Sequence, residues 1–455
     1  MKKFLAALLS AVFILNMGIF SMAEEQPEEI ISEAACLMDA STGQVLYEKN
    51  MHEVLEPASI TKVMTAALTL EKGFSSDSVV TMTDDAVWSV GRDTTHIALT
   101  PGETVPVKDL LYGTLLQSAN DCANGLALYV DGDMNKFAER MTNKAHELGA
   151  LDTNFVNPNG LPNPLHVTTA YDMALITKWA ISVPGFKEVF KTSEYKMGPT
   201  NMQPKEREFH HGHKSINKAS DFYYEYATGG KTGWTEEAKN TAVTLAEKDG
   251  VELIAVTMKA EDAKDRYADI KALFDFGFKN FNRAEFSKER FSQAPVPVYD
   301  GEQRVGEVII QPEDVVITKP STAAKADITI QLNLPIRYNI NDEINPMAHF
   351  FLDDNIIAEV PLKFQKNIET SKTSVLSLNV SENNKGSKGF YISPWICFVF
   401  AFLAFAVLLL FGIRSINIIR YNQRMAKRAA NKRPSDTVNK PSNPSDDFFN
   451  TYKRK

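Results

Sequence analysis

Residues 34–39 and 44–47 are two mostly apolar runs on either side of Ser41-Thr42-Gly43, and this pattern predicts a hairpin with a Gly-containing turn. The period then changes. Pro57 suits a helix start, and residues 63–70 are apolar or small enough to be covered on most sides, so a buried helix is expected here. A short helical piece over 84–90 and an irregular stretch over 97–107 follow. Residues 107–116 read as a helix that stops at Gln117-Ser118-Ala119-Asn120. Cys122, Leu126 and Val130 then recur at four-residue steps behind a capping Asp121. Residues 134–148 and 169–182 are further helices, and 157–164 is a loop by its Asn, Pro and Gly content. Two strands, 241–247 and 251–258, flank a turn at Lys248-Asp249-Gly250, and an amphipathic helix over 263–278 closes the region. Strands against a helical body indicate an α+β domain over 30–282. Beyond it, short β segments separated by turn residues predict a small all-β domain over 290–366.

The two ends carry a different pattern. Lys2-Lys3, an apolar run and Ser21-Met22-Ala23 have the three regions of a secretory signal peptide, expected over 1–23. Residues 371–390 read as a flexible tether, and 391–413 contain no charge and are long enough to span a bilayer as one transmembrane helix. Arg414, Arg420, Arg424, Lys427, Arg428, Lys432 and Arg433 follow without an intervening acid. This places the 414–455 tail in the cytoplasm and the preceding domains outside the cell membrane. With the +2 of residues 1–23 and the +8 of residues 391–455 set aside from the chain's −8, residues 24–390 carry −18. An acidic ectodomain without a zinc-finger, RNP or Gly-rich phosphate motif argues against nucleic acid. Cys36 and Cys122 lie outside, where a disulfide is chemically allowed, although two buried thiols is the reading preferred for such small residues. His210-His211-Gly212-His213 reads as a solvated loop rather than a metal site, because no element aims the rings at one ion.

Candidate chemistry sits at the mouth of the 63–70 helix. Ser59 and Lys62 are three apart, which brings a hydroxyl and an amine within reach on one helix face. A lysine whose pKa is lowered by burial and by other cations can take the serine proton. The pattern recurs at Ser193-x-x-Lys196 and Ser215-x-x-Lys218, but neither opens an apolar helix. Ser118-x-Asn120 is as common a pattern by itself, whereas Lys231-Thr232-Gly233 occurs once, expected to open a strand.

In that order and context these three motifs resemble those of the penicillin-recognising serine acyl-transferases, and most closely the low-molecular-weight penicillin-binding proteins that are D-alanyl-D-alanine carboxypeptidases. Asp39-Ala40-x-x-Gly43, Pro57-Ala58-Ser59-x-Thr61-Lys62, Ser118-Ala119-Asn120-Asp121, Asn157-Pro158-x-Gly160 and Thr168-Thr169-Ala170-Tyr171-Asp172 carry the likeness over about 34–280. The resemblance implies a penicillin-binding/β-lactamase-like transpeptidase fold, no cofactor or metal, and peptidoglycan stem peptides ending in D-Ala-D-Ala as substrate, with β-lactams as inhibitors. It implies Ser59 as nucleophile, Lys62 as base and Ser118 as proton relay. Asn120 would hold the substrate amide, Lys231 supply positive potential, Thr232 bind the terminal carboxylate, and the backbone N–H groups of Ser59 and Trp234 form the oxyanion hole. Arg266 is a candidate for steering the carboxylate or a plain surface arginine. Trp234 and Cys122 depart from the family's usual histidine and alanine, and a true span departs from its usual amphipathic anchor. A serine β-lactamase, or a β-lactam sensor or inactive wall-binding scaffold, is the competing reading.

Overall fold

A computed structural model describes residues 27–368. Its centre is a five-stranded antiparallel sheet in the spatial order Val45–Lys49, Ala34–Asp39, Val251–Ala260, Lys239–Lys248, Ala227–Thr235. Successive strand residues face opposite ways, and both faces are covered. Cys36 and Met38 join Val243, Ile254 and Val256 in the core beneath the helical body. Ala35 and Leu37 face the other way, toward Tyr267, Ile270, Leu273 and Phe274 of the Ala263–Asn280 helix.

The helical body is built around Lys62–Lys72, whose residues Lys62 to Thr69 are all buried. Val107–Leu116 and Asn120–Asp131 pack beside it, joined by the sharp Gln117-Ser118-Ala119 connection. Met134–Glu147 begins at Asp133, whose carboxylate accepts the N–H groups of Asn135 and Lys136, and Ala170–Ser182 begins at Thr169, whose hydroxyl accepts from Asp172. The expected hairpins and long helices are present. A short helix, Phe186–Lys191, and a hairpin of Glu194–Met197 with Arg207–His210 are further elements, of only six and four residues each. The stretch around 97–107 is not wholly irregular, since Thr104–Pro106 pairs with Val79–Thr81.

The β-rich part contains a four-stranded and a three-stranded sheet around Phe286, Phe291, Ile317 and Phe350. Phe281–Phe286 belongs to it by pairing with Val315–Pro320. Contacts such as Thr318 Oγ1 donating to Asp39 Oδ2 at 2.5 Å fasten it to the catalytic sheet. Among the described residues no helix is long and apolar enough to cross a membrane. The expected leader over 1–23, the tether, the 391–413 span and the tail all lie outside those residues.

Candidate active site

Ser59 sits in a tight turn, Ala58–Thr61, immediately before the Lys62–Lys72 helix. Ala58 is held left-handed at φ 51°, a conformation that costs about 1–3 kcal/mol for a residue with a side chain. The surroundings enforce it. Thr61 Oγ1 donates to Ala58 O at 2.9 Å, Thr241 Oγ1 of the sheet donates to Pro57 O at 2.8 Å, and a Cβ on Gly160 would lie only 1.9 Å from Ala58 O. His166, whose Nε2 lies 2.8 Å from Thr61 Oγ1, is held neutral: burial and the Lys62 charge push its pKa down to about 3.

Lys62 is fully buried, with Nζ 2.9 Å from Ser59 Oγ, 2.6 Å from Asn120 Oδ1 and 2.6 Å from Asn159 O. Burial, then the Lys231 cation, hold its pKa well below the usual lysine range. In its neutral form the lysine offers a lone pair, so the contact with Ser59 reverses and Oγ–H donates to Nζ. Asn159 was not singled out in the sequence beyond its loop; the signal is Asn157-Pro158, since Asn157 Oδ1 accepts Gly160 N–H at 2.7 Å and turns the loop back toward Lys62.

The second motif arrives on a strained connection. Ser118 is left-handed at φ 59°, and its Oγ accepts from Lys231 Nζ at 2.9 Å. Lys231 also donates to Thr232 O at 2.6 Å, and burial followed by the nearby Arg266 cation lowers its pKa to about 7. The motif lies in the middle of the Ala227–Thr235 strand rather than at its start. Gly233 is where this edge strand meets the nucleophile turn: a Cβ there would lie 2.5 Å from Thr241 Oγ1 and 2.7 Å from Ser59 N. Only a glycine lets the two backbones approach so closely. Lys62 thus joins Ser59 to Asn120, and Lys231 reaches Ser118, two positions before Asn120, with half-buried Thr232 next in the strand.

Two expectations change. Arg266 is not a surface residue: it is buried, and its Nη1 donates to Gly233 O and Thr241 O at 3.2 Å each. Its guanidinium thus braces the strand instead of standing free beside it. Trp234 is 64% exposed, and its indole stands outside the buried cluster. The histidine loop is only partly solvated. His210 is exposed, but His213 is buried because Gly230 leaves room for its ring, and Thr244 Oγ1 (2.9 Å) and Ser215 N–H satisfy its nitrogens. Together with His211 it backs a recess of about 110 Å³ beside Ser118, Lys231 and Thr232. Cys122 and Cys36 are free, buried thiols. Gly113 leaves the space that Cys122 fills, since a Cβ there would lie 2.5 Å from its sulfur.

A buried lysine on a serine hydroxyl, a second lysine on a second serine and a glycine-bearing edge strand define a serine acyl-transfer enzyme of the penicillin-recognising kind. The sequence pattern of the D-alanyl-D-alanine carboxypeptidase family matches residues 21–262. The chain belongs to that family and is a hydrolase of the serine type. D-alanyl-D-alanine carboxypeptidase DacF of Bacillus subtilis is 30% identical over 380 residues, covering 81% of this chain and 95% of the relative. DacA of Escherichia coli is 29% identical over 373 residues, covering 78% and 88%. Penicillin-binding protein 5 of Haemophilus influenzae shares the fold with a TM-score of 0.61 at 24% identity, over 76% of this chain and 99% of that one. Penicillin-binding protein 6B of Escherichia coli superposes with a TM-score of 0.56 at 26% identity, over 75% and 97%.

Proposed function

We propose that the chain removes the terminal D-alanine from peptidoglycan stem peptides through an acyl-enzyme on Ser59. The observation that carries this is Lys62, buried, depressed in pKa and 2.9 Å from Ser59 Oγ. Neutral Lys62 takes the Ser59 proton as Oγ attacks the carbonyl of the penultimate D-alanine. The backbone N–H groups of Ser59 and Trp234 receive the developing oxyanion, a contribution worth roughly 3–4 kcal/mol per donor in comparable sites. Ser118, held by Lys231, relays a proton to the leaving amine, and water then hydrolyses the ester. Asn120 holds the substrate amide, while Thr232 and the Lys231 cation receive the terminal carboxylate. Arg266 acts through the strand it braces, as a positioning residue. β-Lactams acylate the same serine. The uncharged 391–413 segment and the basic residues after it support anchoring of the catalytic domain on the outer face of the membrane.

The test is release of D-alanine from a D-Ala-D-Ala peptide, paired with labelling by a tagged penicillin. Wild type should do both, and Ser59→Ala neither, with a loss of about 10⁴-fold or more in kcat. Labelling that persists in Ser59→Ala sinks the assignment, and rapid turnover of the penicillin identifies a β-lactamase instead.

A further inference from the structure

The loop between the Asp84–Trp88 helix and Pro101 hangs on Asn120 and Asp121, the residues that open the helix after Ser118. Asn120 N–H donates to Thr95 O at 2.9 Å. The Asp121 carboxylate accepts N–H groups from Ile97 at 3.2 Å, Leu99 at 3.0 Å and Cys122 at 2.9 Å. Ala98 is left-handed at φ 58°, and its N–H donates to His96 Nδ1 at 3.0 Å. The loop is thereby fixed from both sides, and it presents Arg92 and His96 at its rim.

Between this loop and the helix runs a groove of about 400 Å³. Val87, Val90 and Leu99 form an apolar floor, and Trp88 stands over it with 56% of its surface exposed. The Arg92 guanidinium lies 6.0 Å from the centre of the Trp88 ring. Asp93 is not part of the lining, because its carboxylate folds back over Gly91. Asp121, at the base, is already occupied by backbone amides. The surface therefore offers aliphatic and aromatic contact together with a cation, and the loss of one D-alanine uses neither.

Asp121 directly follows Asn120, the residue assigned to the amide upstream of the reacting carbonyl. Lys231 and Thr232 are assigned to the carboxylate end, so the upstream part of the substrate continues past Asn120. Asp121, the next residue, lines the groove, and two or three extended residues span roughly 7–10 Å. We propose that this groove is a second substrate subsite, taking the stem peptide upstream of D-Ala-D-Ala. Trp88 covers the aliphatic side chain of the peptide, and Arg92 pairs with the free carboxylate of its acidic residue. The proposal rests on the Ser59 assignment.

The experiment compares two substrates on the full chain: a short diacyl-lysyl-D-Ala-D-Ala and the complete pentapeptide with its acidic residue. Trp88→Ala and Arg92→Ala should each lower kcat/KM for the pentapeptide roughly tenfold and leave the short peptide within about twofold. The intact short-peptide rate also shows that the variants fold. Amidating the pentapeptide's free carboxylate should remove the Arg92→Ala effect and keep the Trp88→Ala effect. Equal losses on both substrates, no loss on either, or a loss seen only with a sugar-bearing muropeptide would overturn the subsite. Persistence of short-peptide hydrolysis in Ser59→Ala would instead overturn the catalytic assignment.

Discussion

At the residue scale, the two lysines have opposite requirements. Lys62 works as a base and must be neutral, so activity rises with pH as it loses its proton. Lys231 works as a cation and must be charged, so activity falls as pH rises past its pKa, lowered to about 7 by burial and Arg266. The pH profile of kcat/KM, which reports the free enzyme, should therefore be a bell with its alkaline limb near 7. A bound carboxylate favours the charged form of Lys231, and the same limb should lie higher in kcat. Lys231→Arg keeps its charge over the whole range, so this variant should be slower yet lose the alkaline limb between pH 6 and 9. A limb that survives the substitution unchanged would assign it to another group.

At the scale of elements, the site is a seam between a turn and an edge strand, and Gly233 sets its width. A methyl group there meets Thr241 Oγ1, Ser59 N and Ala58 Cβ at 2.5, 2.7 and 2.9 Å, and two of the three are not flexible side-chain ends. Gly233→Ala should push the strand from the Ser59 turn and disorganise the oxyanion donors. We expect a loss of about 10²-fold or more in both kcat and penicillin acylation, with an unchanged far-ultraviolet circular dichroism spectrum. Ser59→Ala, by contrast, leaves this seam intact. The seam also explains what was legible. Ser59 and Lys62 are local in sequence, so helical spacing exposed them. The Lys231–Ser118 contact bridges 113 positions, and only its resemblance to known motifs connected the two. His213 was misread because adjacent histidines in polar sequence look solvated, and nothing local shows that Gly230 clears a space for the ring. The Glu194–Met197 and Arg207–His210 hairpin is harder to read for a different reason: its strands are only four residues long and nine residues of polar loop separate them, so the weak alternation of the first strand has no adjacent partner. Arg266 was placed on its helix correctly, but its burial depends on the strand packed above it.

At the scale of the whole molecule, the catalytic body contains three histidines whose pKa values folding lowers: His166 to about 3, His211 to about 4 and His213 well below 6.5, each chiefly by burial. Unfolded, they titrate near 6.5. Above that pH neither state binds their protons and they leave stability unchanged. As the pH falls below 6.5 the unfolded chain takes up protons that the folded chain refuses, so stability declines, by up to about 1.4 kcal/mol per pH unit for each histidine. Burial raises the pKa values of Asp109 and Asp172. These acids bind protons in the folded state first and therefore oppose the decline as acidification reaches them. The histidine effect is accordingly cleanest just below pH 6.5. Thermal unfolding of wild type should shift to lower temperature from pH 7 to 5.5. His166→Asn, which can keep a donor toward Thr61, should show a shallower slope even if its stability at pH 7 is reduced. A melting temperature that does not change over this interval, or identical slopes in the two proteins, would mean that folding leaves these side chains free to protonate.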